Sequence, residues 1–156
     1  MARSPRRVGA HTSTAGGVDR AAAEALELGC NCFQIFTRSP RMWAAPPLAA
    51  DAVARLRALR AEHDLRPLVV HAGYLLNLAS ADPANRAKSV TAFRDEVQRA
   101  LAVGAEYLVF HPGSSKGYES AEPAIEALAS AFAEAVAGVE WDGLEILLEN
   151  TAGGGA

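Results

Sequence analysis

Pro67-Leu-Val-Val-His71 is a short apolar run that ends in an imidazole, and the chain repeats the scheme twice, in Tyr107-Leu-Val-Phe-His111 and Glu145-Ile-Leu-Leu-Glu149. Each run lacks polar alternation, as expected of a strand buried on both faces. Each follows a helical stretch. In a parallel α/β sheet this arrangement brings two imidazoles and one carboxylate to one edge, at the C-terminal ends of the strands. That edge is where such folds bind ligands. Two His and one Glu with a coordination position left over form a catalytic zinc pattern.

Working outward, two more runs complete the series, so the expected strands are Arg7–His11, Cys32–Phe36, Pro67–His71, Tyr107–His111 and Glu145–Glu149. Amphipathic helices separate them. The first runs from about Gly17 to Leu28 with Gly29 as its stop, and Val53, Leu56 and Leu59 mark the second. Asp82-Pro83 reads as an N-cap followed by proline at the first helical position. Val90, Phe93, Val97, Ala100 and Leu101 then share a stripe that Gly104 closes. Ile125, Leu128, Phe132, Ala135 and Val136 repeat the scheme before Gly138.

Loops entering the strands are short. Those leaving them are longer: Thr37 to about Ala50, Ala72 to about Ala81, and Pro112 to about Glu119. Long strand-to-helix loops carry function in this architecture. The fold class expected is α/β of TIM-barrel type, incomplete, with about five βα units and parallel strands in sequential order. A closed eight-stranded barrel takes about 250 residues; this chain has 156 and stops just after the fifth strand, so it reads as one domain, residues 1–156, forming part of a (β/α)8 barrel. Two open sheet edges are then expected, with the first and fifth strands each unpaired on one side. Interior side chains would come from Leu68-Val-Val70 and Ile146-Leu-Leu148, and self-association through the open barrel edge follows.

Half the residues are hydrophobic and 21% are charged, which excludes a disordered chain. Net charge is −3 and the pI is near 5.8, so any nucleic-acid contact must be local. Cys30 and Cys32 are separated by a single residue, a spacing poorly matched to disulfide geometry, so no disulfide is expected and a reducing, cytoplasmic setting fits. No apolar run approaches ~18 residues, so no membrane helix is expected. The basic start, Met1-Ala-Arg-Ser-Pro-Arg-Arg7, has no signal-type apolar stretch behind it.

Each candidate site residue also has a structural reading. His71 or His111 alone could serve packing or hydrogen bonding, and Glu149 could pair with a basic neighbour. Their equivalent positions favour a shared metal, which lowers the pKa of a bound water toward ~7. His11, also at a strand end, reads as a supporting residue behind the ligands. His63, in a helical stretch, reads as a solvated surface histidine. Pro112-Gly-Ser-Ser-Lys-Gly117 suits close approach of a phosphate to the backbone, with Lys116 adding charge; a plain tight turn is the equal alternative. Thr37-Arg-Ser-Pro-Arg-Met-Trp43 sets Arg38 and Arg41 beside Met42 and Trp43 on a long exposed loop, as insertion into a nucleic acid requires. Trp43 could instead pack onto the barrel. Tyr74 and Leu75 are large groups on the loop beside His71.

Gly9-Ala-His-Thr-Ser-Thr-Ala-Gly-Gly17, Phe36-Thr-Arg-Ser-Pro-Arg-Met-Trp43, His71-Ala-Gly-Tyr-Leu-Leu-Asn-Leu78, Phe110-His-Pro-Gly-Ser114 and Glu149-Asn-Thr-Ala-Gly153 together resemble the endonuclease IV family, apurinic/apyrimidinic endonucleases of base-excision repair. The resemblance spans nearly the whole chain. It implies a TIM-barrel zinc enzyme that cleaves double-stranded DNA 5′ to abasic sites. By motif, His71 and His111 resemble ligands of one zinc, and Glu149 the carboxylate bridging it to a second. Arg41, Tyr74 and Leu75 match residues that penetrate the DNA. His11, Asn77, Gly113 and Ser114 fall in the motifs as supporting or phosphate-loop positions. The family's remaining ligands lie in a second half with no counterpart here. Three zinc ions belong to a complete member and at most about one is expected for this chain, with weak or no nicking. Two rival readings remain: a sugar isomerase or epimerase of similar barrel fold, and a non-catalytic fragment that binds zinc or DNA.

Overall fold

The structure, a computed structural model, describes residues 6–150. Residues 1–5 of the basic start and the Thr151-Ala-Gly153 end of the last motif fall outside the described residues. Five apolar runs form strands: β1 (Gly9–His11), β2 (Cys32–Ile35), β3 (Leu68–His71), β4 (Tyr107–Phe110) and β5 (Glu145–Leu148). They pair in parallel in the order β1-β2-β3-β4-β5. Four helices link them: α1 (Val18–Glu27), α2 (Ala50–His63), α3 (Pro83–Val103) and α4 (Ala121–Val136). This is the sequential wall of a TIM-type barrel, with β1 and β5 at its edges.

Strand parity divides the side chains into two layers. Phe33, Ile35, Leu68, Val70, Leu108 and Phe110 lie beneath the helices, each 2% exposed or less. Gln34, Val69, Tyr107 and Glu145 form one row across the other face. Val109 and Leu147 pair beside His71 in the next row. The expected interior set is therefore corrected. Leu68 and Val70 belong to the helix layer, and Val69 faces the barrel interior. Ile146 and Leu148 likewise face the helix side, and Leu147 the interior. A continuous apolar run carries no phase, so sequence alone does not assign its faces.

The helix signals explain the helix bounds. Asp82 Oδ1 accepts from the Ala84 amide at 3.0 Å, Pro83 opens α3, and Gly104 closes it in a left-handed conformation (φ 68°). Helix α4 keeps the expected stripe at Leu128, Phe132, Ala135 and Val136, which pack in or against the core, and departs from it at Ile125. Its buried residues are Ala124, Ala131 and Ala135, whereas Ile125 is 61% exposed. With Leu128, Phe132, Phe110, Ile146 and Leu148, Ile125 lines an apolar groove of about 350 Å³ beside β5. No described element covers it. β1 is shorter than expected at its start because the Asn31 side chain accepts the Val8 amide at 2.7 Å.

Side chains also tie the N-terminal edge of the sheet. Arg60, in α2, donates to both carboxylate oxygens of Glu106 (2.7 and 2.6 Å) and to the carbonyls of Leu65, Val103 and Gly104. Glu106 also accepts the Leu68 amide at 2.7 Å, which fixes where β3 begins. Burial lowers the Arg60 pKa from its usual value, and the Glu106 charge opposes that shift. Cys30 and Cys32 are free thiols. His63 is exposed, with Glu62 3.7 Å away. Among the described residues, no helix is long and apolar enough to cross a membrane.

Candidate metal centre

Backbone pairing delivers the three candidate ligands to one place. His71 ends β3, and the next amide, Ala72, still donates to Val109 O at 2.8 Å. His111 follows β4 directly. Glu149 follows β5, and its amide donates to Phe110 O at 3.0 Å, so the ladder runs one residue past the strand. All three therefore stand on ordered backbone at the C-terminal edge of the sheet.

One ligand-type atom from each of His71, His111 and Glu149 lies within 4.8 Å of the other two. Glu149 Oε2 is 3.1 Å from His71 Nε2 and 3.8 Å from His111 Nε2. The opposite ring nitrogens settle the tautomers. His71 Nδ1 is 2.8 Å from Ala72 O, and His111 Nδ1 is 3.2 Å from Glu149 O. A carbonyl oxygen only accepts, so each Nδ1 carries the hydrogen. In the neutral ring each Nε2 is then the lone-pair atom, and it faces the carboxylate. Histidines that hold zinc are oriented this way, by a hydrogen bond from the nitrogen not bound to metal. Two imidazole nitrogens and one carboxylate oxygen match zinc's preferences, and the donor set fits the ion.

Aromatic rings support the cluster. Phe36 lies 4.5 Å from the His11 ring, 5.4 Å from His71 and 5.3 Å from Tyr74, between centroids. The His71 and His111 rings are 5.1 Å apart. His11 stays beside the cluster rather than in it. Gln34 Nε2 donates to His11 Nδ1 at 2.9 Å. Partial desolvation of the His11 ring, and secondarily the neighbouring His71, lower its pKa from the usual value.

The loops differ from one another. Arg41 and Met42 are exposed, Tyr74 is 57% exposed, and Leu75 is half-buried. Trp43 packs partly against the core. Arg38 corrects the expectation of an exposed basic residue. It is buried, bonded to Glu96 Oε1 (2.9 Å), Asp95 Oδ2 (3.1 Å), Ala92 O and Trp43 O. Two carboxylates supplied by α3 draw it inward. Asn77 Oδ1 accepts the Ser114 amide at 3.1 Å, clasping the loop after β4 to the loop after β3. Gly113 is required there: it has φ 104°, and a Cβ would stand 2.0 Å from Asn77 Oδ1. Lys116 is exposed. Phe36, Gln34 and Glu96 were not among the expected site residues. Phe36 had a signal, since it directly follows the β2 run on the strand beside β3.

A family model described as a xylose isomerase-like TIM barrel matches residues 22–156. The chain belongs to the xylose isomerase-like TIM-barrel family. Within it, the chain is 51% identical over 149 residues to a probable endonuclease 4 from Solibacter usitatus (strain Ellin6076), covering 96% of this chain and 51% of that protein. The crystal structure of endonuclease IV from Thermus thermophilus superposes with a TM-score of 0.83 at 40% identity, over 96% of this chain and 54% of the other. A D-tagatose 3-epimerase-like protein shares the fold at 23% identity, with a TM-score of 0.64 over 92% of this chain and 53% of that one. The chain thus spans about half the length of the curated relatives it matches.

Proposed function

We propose that this chain supplies one zinc site and part of the DNA-binding surface of an endonuclease that cleaves double-stranded DNA 5′ to abasic sites. The carrying observation is the convergence of His71 Nε2, His111 Nε2 and Glu149 Oε2 with both Nδ1 hydrogens already committed. Zinc held there would act as a Lewis acid on a phosphate oxygen and acidify a bound water. The chain's own residues do the rest. The Ala72 and Glu149 carbonyls hold the imidazoles in one tautomer. Glu149 faces both rings and has a second oxygen for a neighbouring ion in a longer protein. The Tyr74 and His71 ring centroids lie 5.9 Å apart, which supports linking a group that would enter the duplex to the proposed metal position. Arg41, Tyr74 and Leu75 would enter the DNA where a missing base makes unstacking least costly. His11 and the Asn77–Ser114 clasp support the site from behind, and Gly113 lets that clasp form.

The solved epimerase-like structure supports a sugar-converting reading through fold alone. The large exposed groups Arg41, Met42 and Tyr74 beside the site favour an extended polymer over a small sugar. A chain holding at most one zinc should nick weakly or not at all, which makes binding the sharper test. With zinc present, this chain is expected to bind duplex containing an abasic analogue more tightly than undamaged duplex. Arg41→Ala and Tyr74→Ala should remove that preference. Equal binding of both duplexes, or epimerisation of a ketose by the chain, would overturn the reading.

A further inference from the structure

Glu96 lies on neither of the loops that carry Arg41 and Tyr74, yet it bonds to both. It sits in α3 and is 1% exposed. Its Oε1 accepts from Arg38 Nε at 2.9 Å and from the Gly73 amide at 3.0 Å, and its Oε2 accepts from Thr37 Oγ1 at 3.2 Å. Gly73 immediately precedes Tyr74. The Tyr74 amide then donates at 2.8 Å to the carbonyl of Pro40, which immediately precedes Arg41. The approach is close: a Cβ on Gly73 would lie 3.2 Å from Pro40 O and 3.5 Å from Glu96 Oε1. Asp95 and Arg99 brace the same loop from α3. Asp95 Oδ2 accepts from Arg38 and Arg99, and Arg99 donates to the carbonyls of Thr37, Ala45 and Pro46.

We infer that Glu96 is a positioning residue that holds Arg41 and Tyr74 at a fixed separation, so that the two loops engage DNA as one rigid unit. The inference rests on the abasic-DNA reading above. Apolar packing in place of a whole buried ion pair is often neutral for stability, so the Arg38–Glu96 pair is not explained by stability alone. The three donors to Glu96 come from the loops themselves, within four residues of Arg41 or adjacent to Tyr74. An amide at the same place keeps the shape but loses the charge and an acceptor.

The test compares the zinc-loaded chain with Glu96→Gln on abasic-analogue and undamaged duplexes. The preference for abasic duplex is expected to fall about tenfold, while affinity for undamaged duplex and for zinc stays within about twofold. In the parent chain, Arg41→Ala and Tyr74→Ala should be non-additive. In the Glu96→Gln background their losses should add to within about twofold. Amide exchange gives a readout independent of DNA: the Tyr74 amide, which Glu96 does not touch, should exchange about tenfold faster in the variant. Thr37→Val, which removes one tether, should give the same pattern at about threefold and serves if Glu96→Gln does not fold. Unchanged Tyr74 exchange, or equal losses on both duplexes, would overturn the positioning role. A parent chain with no abasic preference would defeat the DNA reading instead, and Tyr74 exchange would then decide alone whether Glu96 couples the loops.

Discussion

At the N-terminal edge of the sheet Glu106 meets Arg60; at the C-terminal edge Glu149 meets His71 and His111. Both carboxylates close a cluster of side chains from separate βα units. At the N-terminal edge donors match acceptors. Arg60 gives its N–H groups to the Glu106 carboxylate and to three carbonyls, and Glu106 takes one further amide. At the C-terminal edge the ring hydrogens point outward to carbonyls, and two Nε2 lone pairs face a carboxylate oxygen. The first cluster completes itself. The second is an array of acceptors, and an array of acceptors is what a cation binds. Stability and the proposed chemistry thus occupy opposite ends of the same strands, as they do in barrels generally.

Substitutions at each end should separate the two roles. Glu106→Ala leaves the Arg60 guanidinium without its carboxylate partner and the Leu68 amide without its side-chain acceptor. It should cost about 3 kcal/mol in urea unfolding, with zinc affinity unchanged. His71→Ala should do the converse: zinc affinity measured against a chromogenic chelator falls at least ~100-fold, while unfolding in chelator shifts far less. Loss of stability without loss of zinc in His71→Ala would erase the contrast. A smaller effect sharpens it. Asn77→Ala removes the acceptor of the Ser114 amide and should cost about 1 kcal/mol, seen as faster exchange at Ser114 with zinc binding kept. His63→Ala, on exposed α2 surface, should change stability by less than ~0.5 kcal/mol and zinc binding not at all.

The parts legible in the sequence were those with a local physical cause. Unbroken apolar runs marked the strands, and Asp82-Pro83 with Gly104 bounded α3 because capping is decided by neighbouring residues. Recurrence of a ligand type after three such runs pointed to one edge of the sheet. The parts that were not legible depend on distant partners. Arg38 and Arg41 stand three residues apart on one loop and look alike. Only folding reveals that Asp95 and Glu96, 57 and 58 residues on from Arg38, take it into the interior and leave Arg41 outside. Ile125 alone left the α4 stripe for a related reason, since a helix buries whichever face its neighbours cover, and α4 has none over Ile125 among the described residues. Phe36 carries no ligand atom, so nothing in its side-chain chemistry marks it as the ring that seats His11, His71 and Tyr74.

X-ray absorption at the zinc edge, on the chain loaded with one equivalent of zinc, tests the contrast between the two sheet ends most directly. The predicted spectrum has a first shell of nitrogen and oxygen at about 2.0–2.1 Å, with the outer-shell scattering of two imidazoles. His71→Ala should remove one imidazole from it. Sulfur at about 2.3 Å, from Cys30 or Cys32, or a shell without imidazole, would contradict the assignment of the C-terminal edge as the metal centre.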